Sequence, residues 1–173
     1  MANFITLLRF PLLFLFIFFL YFGSAHLQYW SVPFIILIIL MDTLDGLIAR
    51  HRDETSLLGS VLDIATDRTL ELLLWVVFAD LKLISVLVPL IVITRGTTVD
   101  AVRAVGMWHG KAAFEQLSSP LSSFLVSSRF MRSSYGVVKA VSFSLLTLTL
   151  AMQSAGSPAA GNAHLLALIF TWI

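Results

Sequence analysis

Four aspartates at the ends of two apolar segments are the residues whose type and spacing point most directly to chemistry. Asp42 and Asp45 lie three positions apart at the end of one segment, and Asp63 and Asp67 lie four apart in the next. Residues three or four apart share one face of a helix, so each pair is predicted to lie on one stripe. Because the polar connection between the segments is short, both pairs are expected at the same end of two antiparallel helices.

Four carboxylates in an apolar setting need counter-charge. An ionised Asp costs about 2.5 to 3.5 kcal/mol at the centre of a spanning helix, and neighbouring acids repel one another. Oxygen-only ligands favour Mg²⁺ or Mn²⁺ over zinc, which recruits His or Cys. Four acids can hold two ions, and paired ions indicate phosphoryl chemistry. The alternative is structural ion pairing, for instance Asp45 with Arg50 or Asp67 with Arg68.

Two glycines accompany the acids. Gly46 directly follows Asp45, and Gly59 lies four residues before Asp63. Both would let backbones or a flat ligand approach closely. For each glycine taken alone, helix packing is the simpler explanation.

Composition defines the elements that must position these groups. Of the 173 residues, 58% are hydrophobic and 12% charged, whereas soluble domains carry about 25% charged residues; the mean hydropathy is +0.94. We therefore expect one integral membrane domain over residues 1–173, an all-α bundle of about six transmembrane helices. The apolar segments are 4–22, 31–48, 59–79, 83–102, 135–152 and 163–173.

The connections between segments differ in basic residues. Two of the alternate connections, 23–31 and 153–162, have no Lys or Arg, and 80–82 has one. By the positive-inside rule the opposite, basic side and the N-terminus are cytoplasmic. That side carries Arg9, Arg50, Arg52, Arg103, Lys111, Arg129 and Arg132.

Both termini allow a second interpretation. Arg9, the apolar run 10–22 and the following "GSA" have the layout of a signal peptide, although the apolar pattern already starts ahead of Arg9. The last segment, 163–173, is short for a spanning helix. Either the chain is truncated or this helix extends back into 157–164.

Several function classes lose support from composition. The net charge of +1 gives no case for nucleic-acid binding, and the absence of cysteine excludes disulfides and thiolate sites. The four histidines have no metal-binding spacing and are interpreted as bystanders; they are His26, His51, His109 and His164.

The acids and glycines form one pattern, D-x-x-D-G-x-x-A-R, eight residues, G-x-x-x-D-x-x-x-D. This pattern resembles the signature of the CDP-alcohol phosphatidyltransferase family at every fixed position. The opening "NFITLLR", with Asn3, Thr6 and Arg9, is similar to the family's N-x-x-T-x-x-R. The matching signature residues are Asp42, Asp45, Gly46, Ala49, Arg50, Gly59, Asp63 and Asp67.

The resemblance implies a two-metal site where an acceptor hydroxyl attacks CDP-diacylglycerol and expels CMP. It assigns the metals to the four aspartates and the general base to Asp67. It also implies a homodimer, and we expect the inner membrane of a bacterial cell with the active site on the cytoplasmic side. The implied contacts to the CDP-lipid are Asn3, Thr6, Gly46, Ala49, Arg50, Ser56 and Gly59.

Three basic residues are candidates for the acceptor site. Arg95 lies inside an apolar helix, Arg103 follows eight residues later, and Lys139 enters the next helix from the same side. A buried Arg faces a bundle interior, and paired cations could bind a phosphate on the acceptor. The alternatives are snorkelling for Arg103 and Lys139, and pairing of Arg95 with Asp100.

The acceptor pattern resembles one subfamily in part. "RGTTVDAVR" and "GVVKA" are similar to stretches of phosphatidylglycerophosphate synthases, which makes glycerol 3-phosphate the first choice. Ile64, Arg68 and Gly96 depart from that subfamily, where Pro, Lys and Glu are usual, and Asp67-Arg68 is closer to inositol-phosphate-using members.

Two functions of other classes compete with the enzyme. A cation-conducting protein would distribute acids through the membrane depth, whereas these four are expected at one rim. A non-catalytic lipid-binding scaffold would be expected to lose at least one acid, and none is lost.

Overall fold

The computed structural model describes residues 2–51, 57–108 and 129–172, and every regular element within these ranges is an α-helix. The predicted all-α class is therefore confirmed, and each predicted segment corresponds to one helix. The helices are α1 (Ala2–Phe22), α2 (Ala25–His51), α3 (Leu57–Asp80), α4 (Leu87–Trp108), α5 (Arg129–Ser154) and α6 (Ala160–Trp172).

Contacts near the helix ends fix the helix directions. The Tyr21 hydroxyl in the last turn of α1 donates to Asp80 Oδ2 at the end of α3, 2.6 Å away, so α1 and α3 run parallel. Two residues separate α1 from α2, which makes α2 antiparallel to both. The end of the bundle where α2 ends and α3 begins is called the motif end below, and the opposite end the far end.

The remaining helices follow the same alternation. Phe143 of α5 packs edge-on against Trp75 of α3, with ring centroids 4.7 Å apart. One turn earlier on both helices, Lys139 contacts Glu71. Hence α5 is parallel to α3. At the far end, His164 of α6 donates to the Leu83 carbonyl oxygen at 2.6 Å.

A spacing of three or four residues produces the core stripe of α1. Thr6 and Arg9 lie on this stripe together with the buried apolar residues that follow them. Each turn of α1 therefore places one side chain between α2 and α3. The buried core of the bundle includes Leu13, Phe16, Leu20, Ile35, Ile38, Leu74, Phe78, Phe143 and Leu146.

Two helices end in the same hydrogen-bonded turn. After α3, Leu83 N–H bonds to the Phe78 carbonyl oxygen, and Lys82 has φ 60°. After α5, Ser157 N–H bonds to the Met152 carbonyl oxygen, and Gly156 has φ 65°. This arrangement satisfies carbonyls that the helix leaves without partners, and it reverses the chain sharply at the far end.

By length and composition, Ser134–Ser154 in α5 is the one helical segment within the described ranges that could cross a membrane. Three shorter apolar stretches occur in α1, α2 and α4. In α3 the apolar run is interrupted by Asp67, Arg68 and Glu71. Six spanning helices with a cytoplasmic N-terminus stay a prediction.

The turn after α5 gives a test of the backbone assignment. Gly156→Ala is expected to destabilise the protein by about 1 kcal/mol, because an L-residue is strained in the left-handed conformation. Thermal unfolding in detergent measures the effect. Gly161→Ala is the matched control, since nothing lies within 4 Å of a Cβ at either position. An equal loss in both variants would contradict the strain argument.

Candidate functional site

The signature residues of α2 lie on the part of that helix nearest the motif end. Asp42, Asp45 and Gly46 belong to α2, as do Ala49 and Arg50. Because α2 and α3 are antiparallel, this part of α2 lies at the same end of the bundle as the beginning of α3. The side chains of residues 42–50 lie outside the described part of the structure, and so does the whole of Ser56.

On α3 the structure describes two of the three signature residues in detail. Gly59 is partly buried, and the side chain of Asp67 is 48% exposed. Asp63 lies on the same helix, with its side chain outside the description. Asp67 is therefore the predicted metal ligand whose surroundings the structure describes.

The N-terminal residues of the motif lie on the core stripe of α1. Thr6 is 4% exposed and Arg9 2% exposed, whereas the side chain of Asn3 is outside the description. Arg9 was counted among the basic residues of the cytoplasmic side. Its burial shows that it belongs to the bundle interior, so it does not contact lipid headgroups.

Lys139 contacts two carboxylates of α3. Its Nζ lies 3.6 Å from Asp67 Oδ1 and 3.5 Å from Glu71 Oε2. The lysine side chain is 14% exposed, and that of Glu71 is 2% exposed. A snorkelling lysine would be exposed at its charged end, so ion pairing inside the bundle is the arrangement observed for Lys139.

Tyr135, one turn before Lys139 on α5, connects this pair to α4. Its hydroxyl donates to Glu71 Oε1 at 2.5 Å. The Arg95 guanidinium carbon lies 5.6 Å from the Tyr135 ring centroid, and Lys139 Nζ lies 5.8 Å from it. These are cation–π distances, so two of the predicted acceptor residues meet at one aromatic ring.

For α4, the structure corrects one prediction and leaves another untested. Arg95 is exposed, which corrects the expectation that it is buried; contact with the Tyr135 ring lets it remain in the site without full desolvation. The side chains of Arg103 and Asp100 lie outside the description. Lys139 and Arg95 are thus brought together, and Arg103 stays a prediction.

A third cation joins the cluster from α3. Arg68 Nη1 lies 3.5 Å from Glu71 Oε2, and a Cβ built on Gly96 would lie 3.5 Å from the same Nη1. Gly96 therefore leaves room for the arginine beside α4. The cluster comprises Asp67, Arg68, Glu71, Arg95, Tyr135 and Lys139.

The predictions from the sequence did not include Glu71 or Tyr135, and they suggested Arg68 as an ion-pair partner of Asp67, whereas the structure pairs Arg68 with Glu71. A signal for Glu71 was present, because it continues the four-residue spacing of Gly59, Asp63 and Asp67. Tyr135 carries no comparable signal. Its role depends on how α5 packs against α3 and α4.

The charges of the cluster favour an anion. Three cations and two carboxylates leave a formal excess of one positive charge. Guanidinium and ammonium groups are the usual phosphate ligands. The arrangement can therefore bind a phosphate beside Asp67, where a hydroxyl attached to that phosphate would meet a carboxylate.

The donor set fits a hard divalent cation. The four aspartates supply only oxygen, as Mg²⁺ and Mn²⁺ prefer. Among the side chains that the structure describes, no three metal-ligating residues form a group, and three of the four aspartate side chains lie outside that set. The fit therefore rests on the chemistry of the donors and on the helix directions, since α2 ends and α3 begins at the motif end.

Comparison with protein families identifies the family of the chain. Residues 1–173 match the family described as CDP-alcohol phosphatidyltransferase. No curated protein matches the chain. The match covers the whole chain, including the motif end and the cationic cluster. The chain therefore belongs to the CDP-alcohol phosphatidyltransferase family.

Proposed function

We propose that the chain transfers the phosphatidyl group of CDP-diacylglycerol to glycerol 3-phosphate and releases CMP. Membership of the family makes it a transferase for substituted phosphate groups in phospholipid synthesis, with a CDP-alcohol donor and an alcohol acceptor. The choice of donor lipid and of acceptor is the proposal. One observation carries the acceptor: Lys139 lies against Asp67, with Arg68 and Arg95 in the same cluster.

The cluster supports a phosphorylated acceptor by its chemistry. A phosphate held by Lys139 and Arg95 would replace the carboxylate partner that Lys139 now has in Asp67. The exchange keeps the ammonium paired with an anion throughout, so no bare charge is left inside the bundle. Free inositol, which carries no anionic group, would bring the cations no new partner, and serine would bring a carboxylate but no phosphate.

Asp67 is proposed as the general base. The acceptor oxygen forms a bond to the lipid-side phosphorus, the bond from that phosphorus to the CMP oxygen breaks, and CMP leaves with the electron pair. The hydroxyl proton passes to Asp67. Its half-exposed carboxylate beside Lys139 supports this role, because a phosphate on the lysine brings the attached hydroxyl towards the acid.

The motif residues are proposed to hold the donor. Asn3, Thr6, Gly46, Arg50 and Ser56 would contact the nucleotide and its phosphates. Ala49 and Gly59 would leave room for them. Asp42, Asp45, Asp63 and Asp67 would hold two Mg²⁺ or Mn²⁺ ions. When bound, the ions would neutralise charge on the phosphate oxygens; the family is generally dependent on divalent cations.

The family is membrane-associated, and we place this chain in the inner membrane of a bacterial cell as a homodimer. The helix directions support a cytoplasmic active site. The far-end turns contain Lys82 as their basic residue, while Arg50 and Arg129 lie at the ends of α2 and α5 that form the motif end.

An inositol phosphate is the second candidate acceptor. Arg68 directly follows Asp67, and Gly96 leaves space beside its guanidinium, so a larger polyol phosphate could be accommodated. A CMP-release assay with purified protein decides between the candidates. Its acceptor panel is glycerol 3-phosphate, inositol 1-phosphate, inositol and serine. Preference for a neutral acceptor would refute the phosphate site.

The first prediction concerns the base. Asp67→Asn is expected to lower turnover at least about a hundredfold, because the amide keeps the shape but accepts no proton. CMP release measures it. Asp80→Asn at the far end of the same helix is the control and should retain turnover. Near-normal activity of Asp67→Asn would remove Asp67 from this role.

The second prediction concerns the ions. EDTA is expected to stop CMP release, and Mg²⁺ or Mn²⁺ to restore it. In electron paramagnetic resonance titrations the protein should bind about two Mn²⁺ per chain, as four shared carboxylates allow. Full activity in a preparation verified to be metal-free would overturn the two-ion site.

The third prediction concerns Arg95. Arg95→Gln should reduce acceptor kcat/KM about ten- to a hundredfold through acceptor KM, since a charge-assisted hydrogen bond is worth about 1.5 to 3 kcal/mol. The KM for CDP-diacylglycerol should change little, and Arg95→Lys should rescue only partly. Lys82→Gln removes one positive charge at the far end and serves as control. Equal changes in both KM values would indicate a structural role, such as pairing with Asp100.

A further inference from the structure

Glu71 is the one buried carboxylate among the side chains that the structure describes. Its two oxygens have different partners. Oε1 accepts the Tyr135 hydroxyl, and Oε2 lies 3.5 Å from both Arg68 Nη1 and Lys139 Nζ. The residue contacts members of the cationic cluster on α3 and α5, yet the family signature and the proposed chemistry leave it without a role.

We infer that Glu71 is a positioning residue for the acceptor: it holds Lys139, Arg68 and the Tyr135 ring in the arrangement that receives the acceptor's phosphate. The inference rests on the proposed function and deepens it. Glu71 has no proposed contact with the substrate. It acts through the side chains that bind the phosphate.

The three cations of the cluster repel one another. Arg68, Arg95 and Lys139 would separate if no anion lay among them, because their repulsion is poorly screened inside a bundle. Glu71 lies between Arg68 and Lys139 and compensates both. It is deeper than Asp67, with 2% of its side chain exposed against 48%. It can therefore keep the cations together while Asp67 remains available to the acceptor.

Glu71 also orients Tyr135. The Arg95 guanidinium carbon and Lys139 Nζ both lie less than 6 Å from the centroid of its ring. A tyrosine ring turns about two bonds, and its hydroxyl bond to Glu71 fixes that rotation. Glu71 thus orients the ring that both cations contact, in addition to pairing with Arg68 and Lys139.

A positioning role and a purely electrostatic role of Glu71 predict opposite changes in phosphate binding, so the inference can be tested. If Glu71 only lowered the positive potential, Glu71→Gln would strengthen phosphate binding, because the cluster would gain one unit of net positive charge. If Glu71 positions the cations, the same change weakens phosphate binding. In Glu71→Gln, Lys139 would retain Asp67 as its one anionic partner in the cluster, and it would be drawn towards the reacting carboxylate.

The experiment uses the full chain in detergent or in nanodiscs, with CDP-diacylglycerol and glycerol 3-phosphate varied in turn. Inorganic phosphate serves as a competitive inhibitor that reports the anion site alone. For Glu71→Gln we expect acceptor KM and the inhibition constant of phosphate to rise together by about tenfold. The KM for CDP-diacylglycerol should stay within about twofold of wild type.

A matched control exists at the far end of the bundle. Asp80 of α3 accepts the Tyr21 hydroxyl at 2.6 Å, so Asp80→Asn disturbs a second tyrosine–carboxylate bond of α3 outside the site. It should leave both KM values unchanged. A lower or unchanged acceptor KM in Glu71→Gln overturns the inference, and so does an equal rise of both KM values.

Two further variants test the route of the effect. Tyr135→Phe keeps the ring and removes the hydroxyl, and it should raise acceptor KM about threefold; it also decides the question if Glu71→Gln fails to fold. Glu71→Gln in a Lys139→Gln background should cost less than the product of the single changes. An unchanged acceptor KM in Tyr135→Phe, or fully multiplicative effects, would refute the inference.

Wild-type data separate this inference from the proposed function. If wild-type protein uses neither glycerol 3-phosphate nor inositol 1-phosphate, the proposed acceptor is wrong and the inference falls with it. If wild type uses a phosphorylated acceptor and Glu71→Gln keeps a normal acceptor KM, only the inference fails.

Discussion

Charge inside an apolar helix bundle must be compensated, and this requirement organises the motif end of the structure. Ions removed from water cost several kcal/mol each unless partners replace the lost hydration. Lys139 meets two carboxylates, Glu71 meets two cations and a hydroxyl, and Arg95 meets an aromatic ring. The far end has a simpler solution, with an exposed tyrosine–aspartate bond and short turns. The charged cluster that we propose to bind the acceptor therefore lies at the motif end.

Much of the fold could be predicted from hydropathy, because each apolar segment is one helix. The misses occur where tertiary contacts extend a helix past its apolar run. The second segment was predicted to start at residue 31, yet α2 starts at Ala25. The additional turns include Gln28, whose side chain is buried and donates to the Leu20 carbonyl oxygen of α1. A polar residue satisfied by a neighbouring helix looks like a loop residue in a single sequence.

In the site, too, some features could be predicted from the sequence and others depend on tertiary contacts. Spacing made Asp67 a candidate ligand and predicted that it lies with the other acids, since three- and four-residue periods are local. It could not show that Arg68 would find space beside Gly96 of α4. Nor could it show that Arg95 would be exposed beside Tyr135, because that contact depends on two helices separated by the connection 109–128. Contacts between distant helices need the fold itself.

The roles that we propose for residues on one face of α3 differ with their depth in the bundle. The spacing of four that begins at Gly59 and passes through Asp63 and Asp67 ends at Glu71, so a single stripe runs from the proposed donor site into the buried interior. Each step moves about one turn deeper. A carboxylate near the motif end can serve a cation or a proton, whereas one turn further in the same group can only serve protein partners. Along this stripe, Asp67 and Glu71 are both carboxylic acids. Their different depths distinguish the proposed reacting acid, Asp67, from the proposed positioning acid, Glu71.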